Sequence, residues 1–266
     1  VAWAWKAGGN KNTFNVDDIG YASASAAGLT AGTITPAGAS VGTKQGFSIV
    51  KFHGNQTAGA KVPHGLSQTP DFTIVKQISG TTESWRVRHS SVTSTKTLYL
   101  NQTVGETSNT EYISGADSTT ITLSTDLNGI NGDNDYIMYA WHNVLGLQKF
   151  GSFEGTGVAD NFIHTGFRSR IVWIKEVDNS NPWYIYDTAR NTYNTIDDIL
   201  WANSSNSEST IGAGNGTDQN GLHIFSNGFA IPHTLSGTNR SGSTYIFCAW
   251  AEAPSIGLYG SQSTAR

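Results

Sequence analysis

Seven histidines are the residues of this chain best suited to metal binding or proton transfer. They are His53, His64, His89, His142, His164, His223 and His233. Histidine ligands contributed by one element stand about three to five residues apart, and no two of the seven are that close. The two halves of the chain are similar, and in their alignment three histidines meet other residue types, with Glu154 for His53, Thr165 for His64 and Asp187 for His89. We therefore predict no metal site and no cofactor.

The stretch 126–135, DLNGINGDND, has the Asp, Asn and Gly content of a calcium-binding loop. Calcium needs hard oxygen ligands at alternating positions. The order of residues in an EF-hand loop, with its Gly and its terminal Glu, is missing, however. The matching stretch LSGTNRSGST at 235–244 has no carboxylate. A hairpin turn before the next strand is therefore the favoured interpretation, and calcium binding is the alternative.

The sequence was also searched for the paired carboxylates or the nucleophilic serine of a hydrolase. Adjacent acids occur as Asp17 with Asp18 and as Asp197 with Asp198. Neighbouring side chains diverge in an extended chain, whereas glycoside hydrolysis needs two carboxyl groups that face one bond. We also identify no serine in a nucleophile elbow. We therefore predict no catalytic residues and expect the protein not to be an enzyme.

The stretch 181–194, NPWYIYDTARNTYN, combines aromatic rings with Asn, Asp and Arg. Protein sites for sugars combine apolar surface, often an aromatic ring, with a few placed polar groups. Asp187, Arg190 and Tyr193 are accordingly the candidate ligand-binding residues, and a glycan or receptor on a host surface is the expected ligand. The chain could thus bind a carbohydrate without cleaving it.

Composition excludes two classes of partner. The chain has 16 Lys and Arg against 20 Asp and Glu, without a basic cluster, so we expect no nucleic-acid partner. No run of 18 apolar residues occurs, so we expect no membrane partner.

The single cysteine, Cys248, lies within an apolar run and is expected to be a buried thiol. The abundance of Ser, Thr, Asn and Gly favours short strands and turns.

An Ala-Trp signature closes three separate stretches of the chain, at Trp5, Trp141 and Trp250. The stretch 46–141 aligns with 147–250 through six matched motifs in the same order, which superpose Trp85 on Trp183. These five tryptophans are predicted to be structural anchors of a repeat. The last strand of each copy, YIMYAW or YIFCAW, is apolar on both faces, which predicts a central strand covered on both sides.

These patterns predict an all-β fold with two tandem β-sandwich domains, concanavalin-like or jelly-roll-like, and an extended N-terminal arm. Repeat A is predicted at 46–145, repeat B at 146–255 and a C-terminal tail at 256–266. Residues 7–45 are rich in Gly, Ala, Ser and Thr, and either a flexible linker or an ordered arm fits them. One helical turn is expected within 191–204.

Residues 1–6 are interpreted as the closing strand of a preceding repeat, because AWAWK stands where the closing strands of the other copies stand. We therefore expect the natural protein to continue before Val1 with at least one further unit.

Four stretches resemble a tandem β-domain found in virion proteins of tailed phages that infect marine bacteria, cyanobacteria among them. They are GFSIVKFHGNQTAGAKVPHGLSQTPDFTIVK at 46–76, HTGFRSRIVWIK at 164–175, WYIYDTARNTYN at 183–194 and YIFCAWAEAP at 245–254. The segment GYASASAAGLTAGTITPAGASVGTKQGF at 20–47 is similar to the same family. The likeness covers nearly the whole chain.

The resemblance implies a lectin-like fold and a non-enzymatic structural protein of the phage particle, located on its surface or tail. A tail fibre or similar appendage, acting in assembly and host adhesion, is the expected role. Other virion proteins and further copies of this chain are the implied partners, a trimer being common among fibres, although no heptad or collagen-like run sets a stoichiometry. A capsid decoration protein and a carbohydrate-binding or glycan-cleaving module are the alternatives.

Overall fold

The computed structural model describes residues 2–108, 112–124, 129–210, 221–234 and 236–253. The described elements are strands, apart from one helix of four residues, and the predicted all-β fold is confirmed. The described residues contain no helix that is long and apolar enough to cross a membrane. The chain divides into a first unit, residues 2–100 with 107–143, and a second unit, which is formed by residues 101–106 and the chain from 144 onward.

The described part of the first unit contains twelve strands. They are β1 Phe14–Val16, β2 Ile19–Tyr21, β3 Gly38–Gly42, β4 Phe47–His53, β5 Lys61–Pro63, β6 Phe72–Gln77, β7 Arg86–His89, β8 Lys96–Tyr99, β9 Thr107–Ser108, β10 Ile113–Ala116, β11 Thr120–Leu123 and β12 Asp135–Trp141. Nine of them form one sheet in the order β2-β1-β3-β4-β12-β6-β7-β8-β9, and the other three form a sheet in the order β10-β11-β5. Phe52 and Met138 of the large sheet share one apolar core with Val62 and Ile121 of the small sheet.

Nine strands and the helix lie among the described residues of the second unit. They are β13 Gln148–Glu154, β14 Asn161–His164, β15 Ser169–Glu176, β16 Tyr184–Asp187, β17 Asp198–Trp201, β18 Ser209–Thr210, β19 His223–Phe225, β20 Gly228–Ile231, α1 Ser236–Asn239 and β21 Thr244–Ala251. The sheets follow the orders β13-β21-β15-β16-β17-β18 and β14-β20-β19. Ile163 and Phe229 of the small sheet share a core with Tyr245 and Phe247 of the large sheet.

The large sheet of the second unit repeats the order of six strands in the first, β4-β12-β6-β7-β8-β9. The small sheets correspond in the same way, with β5, β11 and β10 matching β14, β20 and β19. The register pairs Trp141 with Phe72 in one unit and Trp250 with Ile171 in the other. The two units therefore share one strand topology.

The central strands β12 and β21 are flanked by neighbours on both sides. Residues 245–250 of β21 are all buried, so the prediction that the last strand of each copy is covered on both faces is confirmed for β21. In β12, Ile137 and Tyr139 are only half-buried, so this strand is covered fully on one face alone. The helical turn expected within 191–204 is wrong, because Tyr184 and Ile185 of β16 pair with Trp201 and Leu200 and draw this segment into strand β17.

The arm is ordered rather than a flexible linker, because its strand β3 pairs along the edge of β4 and continues the large sheet. Leu29 and Ile34 lie in the core of the first unit and hold the intervening segment. Asp17 and Asp18 form the turn between β1 and β2, with φ of 48° and 66°. Residues 2–6 lie in no strand, so the suggested closing strand of a preceding repeat stays a prediction.

Strand β13 matches β4 but forms the end of its sheet. Its Lys149 and Gly151 stand where β4 has Ser48 and Val50. A lysine or a glycine on an edge strand discourages the addition of a further strand. The exposed edge of the second unit is therefore protected by its own residues, whereas the arm covers the matching edge of the first unit.

Candidate functional site

Asp187 and Arg190, two of the three predicted ligand-binding residues, lie inside the second unit. The Asp187 carboxylate is fully buried at the end of β16, and its Oδ1 accepts a hydrogen bond from the backbone N–H of Ala189 at 2.6 Å. The Arg190 side chain is 8% exposed, lies 3.8 Å from this carboxylate and donates to Glu208 at 2.8 Å. A second donation reaches the carbonyl of Ile185 at 3.1 Å. These two residues therefore anchor the loop that follows β16.

Tyr193, the third predicted residue, is 84% exposed on the same loop. The loop is closed beneath it by Asn191, whose Nδ2 donates to Asp197 at 3.1 Å and to Asp198 at 2.9 Å. The adjacent acids Asp197 and Asp198 thus converge on one amide, contrary to the divergence expected for neighbours in an extended chain. Of the three candidates, only Tyr193 can meet a ligand without rearrangement.

The tip of this loop is tied to strand β19 of the small sheet. Asn194 accepts from the backbone N–H of Ile224 at 2.9 Å and donates to its carbonyl at 3.1 Å, as a neighbouring strand would. Thr195 Oγ1 lies 3.1 Å from His223 Nε2. Tyr193 therefore stands next in sequence to a residue bound to the edge of the small sheet.

The outward face of this small sheet carries two exposed phenylalanines. Phe162 on β14 is 46% exposed and Phe225 on β19 is 42% exposed. Their ring centroids are 5.9 Å apart, and the rings are inclined at 66°. The ring of His223 lies 6.4 Å from that of Phe225. Exposed aromatic rings that lie close together are typical of a small ligand-binding surface.

Sequence reasoning missed Phe162 and Phe225, although a signal was present. Along NFIH and HIF, the strand period of two places Ile163 and Ile224 toward the core and both phenylalanines on the opposite face. Large apolar residues on both faces of a short strand at the surface indicate a second partner for the outward face. This inference required knowing which face of each strand packs on the core, and the sequence alone did not supply that.

His64 of the first unit performs a structural task that a threonine performs in the second. His64 Nδ1 accepts from the N–H of Leu66 at 3.1 Å, and Thr165 Oγ1 accepts in the same way from Phe167 at 3.4 Å. Burial lowers the pKa of His64, although its Nε2 donates to a backbone carbonyl. Its ring therefore serves as a neutral hydrogen-bonding group.

His53 lies between the carboxylates of Asp135, at 3.0 Å, and Asp133, at 2.8 Å. Hydrogen bonds to Asp135 and then Asp133 raise the pKa of His53.

Both Asp133 and Asp135 belong to the stretch considered for calcium, of which residues 126–128 lie outside the described residues. Residues 129–134 form a turn and bends before β12. The hairpin turn predicted at this place is wrong, because β12 pairs with β4 and β6, whereas the preceding strand β11 lies in the small sheet. In the part of the chain that the structure describes, no three His, Cys, Asp or Glu side chains are placed to hold a metal ion.

Residues Gly38–Gly42 spell GASVG and fit the letters of a GxSxG nucleophile elbow, which sequence reasoning passed over. An elbow requires a sharp turn from strand to helix. This stretch is strand β3, paired with β1 and β4, and Ser40 donates its hydroxyl to the carbonyl of Gly9 at 2.8 Å. Ser40 is therefore held in a regular strand, in which a nucleophile has no elbow geometry.

Two buried groups of the second unit have shifted pKa values but structural surroundings. Burial raises the pKa of the Cys248 thiol, which is completely enclosed. Burial lowers the pKa of Lys175 to about 8, and its ammonium donates to the carbonyls of Glu176 at 2.6 Å and Thr103 at 3.1 Å. These carbonyls compensate the buried charge, so Lys175 stabilises the backbone of its unit by bridging two of its segments.

A shallow depression of about 260 Å³ lies where the arm meets β4. Asn15, Ser40 and Lys51 line it, but Asn15 bonds to Asn12 and Lys51 pairs with an aspartate at 3.0 Å. Asn15, Ser40 and Lys51 are thus already engaged by other protein groups.

The tryptophan anchors occupy comparable places in the two units. Trp141 and Trp250 lie in the central strands and are each 6% exposed. The carbonyls of Trp85 and Trp183 accept backbone hydrogen bonds from the N–H groups of Leu100 and Ala202, which directly follow β8 and β17, at 3.0 and 3.3 Å. Trp5 is half-buried and lies outside any strand.

No curated protein matches the chain, and no solved structure does. A family model described as a domain of unknown function, DUF7483, matches residues 1–254. The match includes the arm and both compact units. The chain therefore belongs to the DUF7483 family.

Proposed function

We propose that this chain is a non-enzymatic structural protein of a bacteriophage particle, a component of a tail fibre or similar tail appendage that acts in assembly and host adhesion. It would consist of two tandem β-sandwich repeats, concanavalin-like or jelly-roll-like. Its partners would be other virion proteins, further copies of itself and a glycan on the host surface. The phage context comes from the resemblance of its sequence motifs.

The sandwich repeat is supported by the shared topology and by one buried asparagine at the same place in each unit. Asn131 accepts a hydrogen bond from the backbone N–H of Asn55 at 3.0 Å, and Asn239 accepts from that of Thr156 at 3.0 Å. Both asparagines are fully buried. Cores that combine side chains from a large and a small sheet are what two sheets packed face to face require.

The observation that carries the structural, non-enzymatic role is the use made of the side chains best suited to chemistry. His64, His89 and Asp187 each accept a backbone N–H from two residues further along and so close a turn. A side chain held in this way rigidifies the fold but is not available as a base. A rigid, polar unit of low charge suits a particle that must persist outside a cell.

A carbohydrate-binding module is the second candidate, and the exposed rings of Phe162, Phe225 and Tyr193 favour it. The two candidates are compatible, because host adhesion by a tail appendage can proceed through a glycan. A glycan-cleaving activity would require two carboxyl groups across one bond. Asp197 and Asp198, the closest acid pair of the candidate loop, are both bound to Asn191.

Gold-labelled antibodies against this chain, applied to purified particles, test the proposal. We expect label on the tail or its appendages. Label confined to the head would replace the tail role with capsid decoration, and particles without label would overturn the structural role altogether. Antibodies against an internal protein of the same particles supply the negative control, because intact particles exclude them.

A further inference from the structure

The outward face of the small sheet in the second unit is apolar at its centre. Phe162, Ala230 and His223 form one row across the three strands, and His164, Gly228 and Phe225 form the next. A Cβ at Gly228 would lie 2.8 Å from the Phe162 ring, so the absence of a side chain there allows the ring to lie over the middle strand. The two phenylalanine rings meet diagonally above Gly228 and Ala230, at 5.9 Å.

The first unit shows that the fold does not need these rings. By register, Lys61 and Asp117 occupy the positions of Phe162 and Phe225, and they form an ion pair at 3.4 Å. The same diagonal is thus filled by a solvated ion pair in one unit and by two half-exposed rings in the other. Exposure of apolar rings has an unfavourable hydration free energy, so packing alone does not account for them.

We propose that this face binds a neutral glycan, with a pyranose ring stacked on Phe162 and in contact with Phe225. The inference deepens the adhesive role proposed above. It rests on that role, because host adhesion is what would bring this face to a glycan of the host surface. Rings inclined at 66° form a notch in which the C–H face of one sugar meets the first ring and its edge meets the second. His164 and His223 stand at the two ends of the notch to meet hydroxyl groups.

Charge and size distinguish a glycan from the other occupants. The outward positions of the three described strands carry neither a carboxylate nor a Lys or Arg. The two cations that contact these strands are engaged, since Lys149 donates to the carbonyl of His164 and Arg168 donates to that of Ile224 and to Glu252. No basic cluster is thus formed among the described residues of this face, which disfavours nucleic acids, anionic polymers and anionic lipid headgroups. A stable protein interface buries roughly 800 Å² on each partner. Two half-exposed phenyl rings are far smaller than that but comparable with one sugar ring.

Saturation-transfer NMR with cellohexaose, a neutral β-1,4-linked glucose hexamer, tests this inference on the whole chain. We expect transfer to the ring protons of the sugar for the native protein. The double variant Phe162→Lys with Phe225→Asp carries the ion pair that the first unit tolerates, so it should keep its unfolding midpoint. Its affinity for cellohexaose should fall about tenfold or more. The control Ile19→Lys removes an exposed apolar residue of the first unit and should bind as the native protein does.

Three results would overturn the inference: no transfer with the native protein, equal transfer with the double variant, or binding to phosphatidylcholine vesicles but not to the sugar. Particle labelling is independent of all three. A chain that labels tails but ignores cellohexaose would therefore reject the glycan notch and leave the structural role intact.

Discussion

His89 and Asp187 occupy the same register position in their two sheets and accept the same backbone hydrogen bond. Nδ1 of His89 accepts from the N–H of Ser91 at 3.1 Å, and Oδ1 of Asp187 accepts from that of Ala189 at 2.6 Å. Both side chains are fully buried. The position therefore requires a buried acceptor, and either residue type supplies it.

Substitutions in the candidate loop should separate its anchors from its exposed ring. Asp187→Ala leaves the N–H of Ala189 without its acceptor and the Arg190 guanidinium without its nearest buried carboxylate. We expect it to lower the free energy of unfolding by about 3 kcal/mol. Tyr193→Ala should change it by less than about 0.5 kcal/mol, because that side chain is exposed. Urea unfolding followed by tryptophan fluorescence measures both.

Asp187→Asn is the matched control, since it keeps the acceptor oxygen and removes only the charge. It should be less destabilising than Asp187→Ala. Equal losses for Asp187→Ala and Tyr193→Ala would show that Asp187 does not anchor the loop.

The buried asparagines provide a matched pair of stability tests. Asn131 donates to the carbonyl of Thr57 and Asn239 to that of Val158, each at 2.8 Å. Replacing either with Ala removes the hydrogen bonds of a fully buried amide and leaves a cavity, which should lower the stability of its unit by about 2–4 kcal/mol. Thermal unfolding measured by calorimetry compares both variants with Asn206→Ala at an exposed position. A loss confined to one of the two asparagines would contradict their equivalence.

Gly54 should not tolerate a side chain. A Cβ at this position would lie 2.0 Å from the carbonyl oxygen of Gly132, and at the matching Gly155 one would lie 2.1 Å from that of Arg240. Gly54→Ala should therefore cost about 3 kcal/mol of stability. Gly115→Ala, whose Cβ would have its nearest contacts at 3.7 Å, is the control and should be nearly neutral. Chemical denaturation distinguishes them, and a stable Gly54→Ala would disprove the close approach.

Stability should fall at acid pH because two histidines are held neutral. Burial lowers the pKa of His233 to about 4, below its ordinary value of 6.5. Between these pH values the unfolded chain binds the proton and the folded chain does not, so the stabilisation is complete above about 6.5 and decreases toward pH 4. The slope should be about 1.4 kcal/mol per pH unit for each such histidine. His64, whose pKa burial also lowers, contributes in the same direction.

His233→Gln should reduce this slope by the amount due to one proton, as measured by urea unfolding from pH 7 to pH 4. His164→Asn, at an exposed ring, serves as the comparison. An unchanged slope in His233→Gln would mean that the ring is not kept neutral by the fold.

The strands could be predicted because their residues carry a local signal. Segments such as Phe72–Gln77 and Tyr184–Asp187 are rich in β-branched and aromatic residues and end at turn formers. The arm could not be assigned from composition, because β3 is held by its pairing with β4 and by the burial of Leu29 and Ile34. Such contacts form between residues distant in sequence, and Gly-, Ala- and Ser-rich segments carry little local preference.

The candidate site was predicted only in part for a similar reason. Asp187 and Arg190 were chosen as polar residues near aromatic ones, yet both turn inward, because Arg190 meets two carboxylates there. The ring of Tyr193 is exposed, and its role in ligand binding stays a prediction. Phe162 and Phe225 form one cluster although they are 63 residues apart in sequence, which no local pattern could bring together.

The most direct test of the central claim, that this chain is a structural part of a phage particle, is quantitative mass spectrometry of purified particles. We predict peptides of this chain at a copy number comparable with that of the other tail proteins, retained after washing in high salt. Recovery of the chain only from the soluble fraction of the lysate, with none in the particles, would contradict the account.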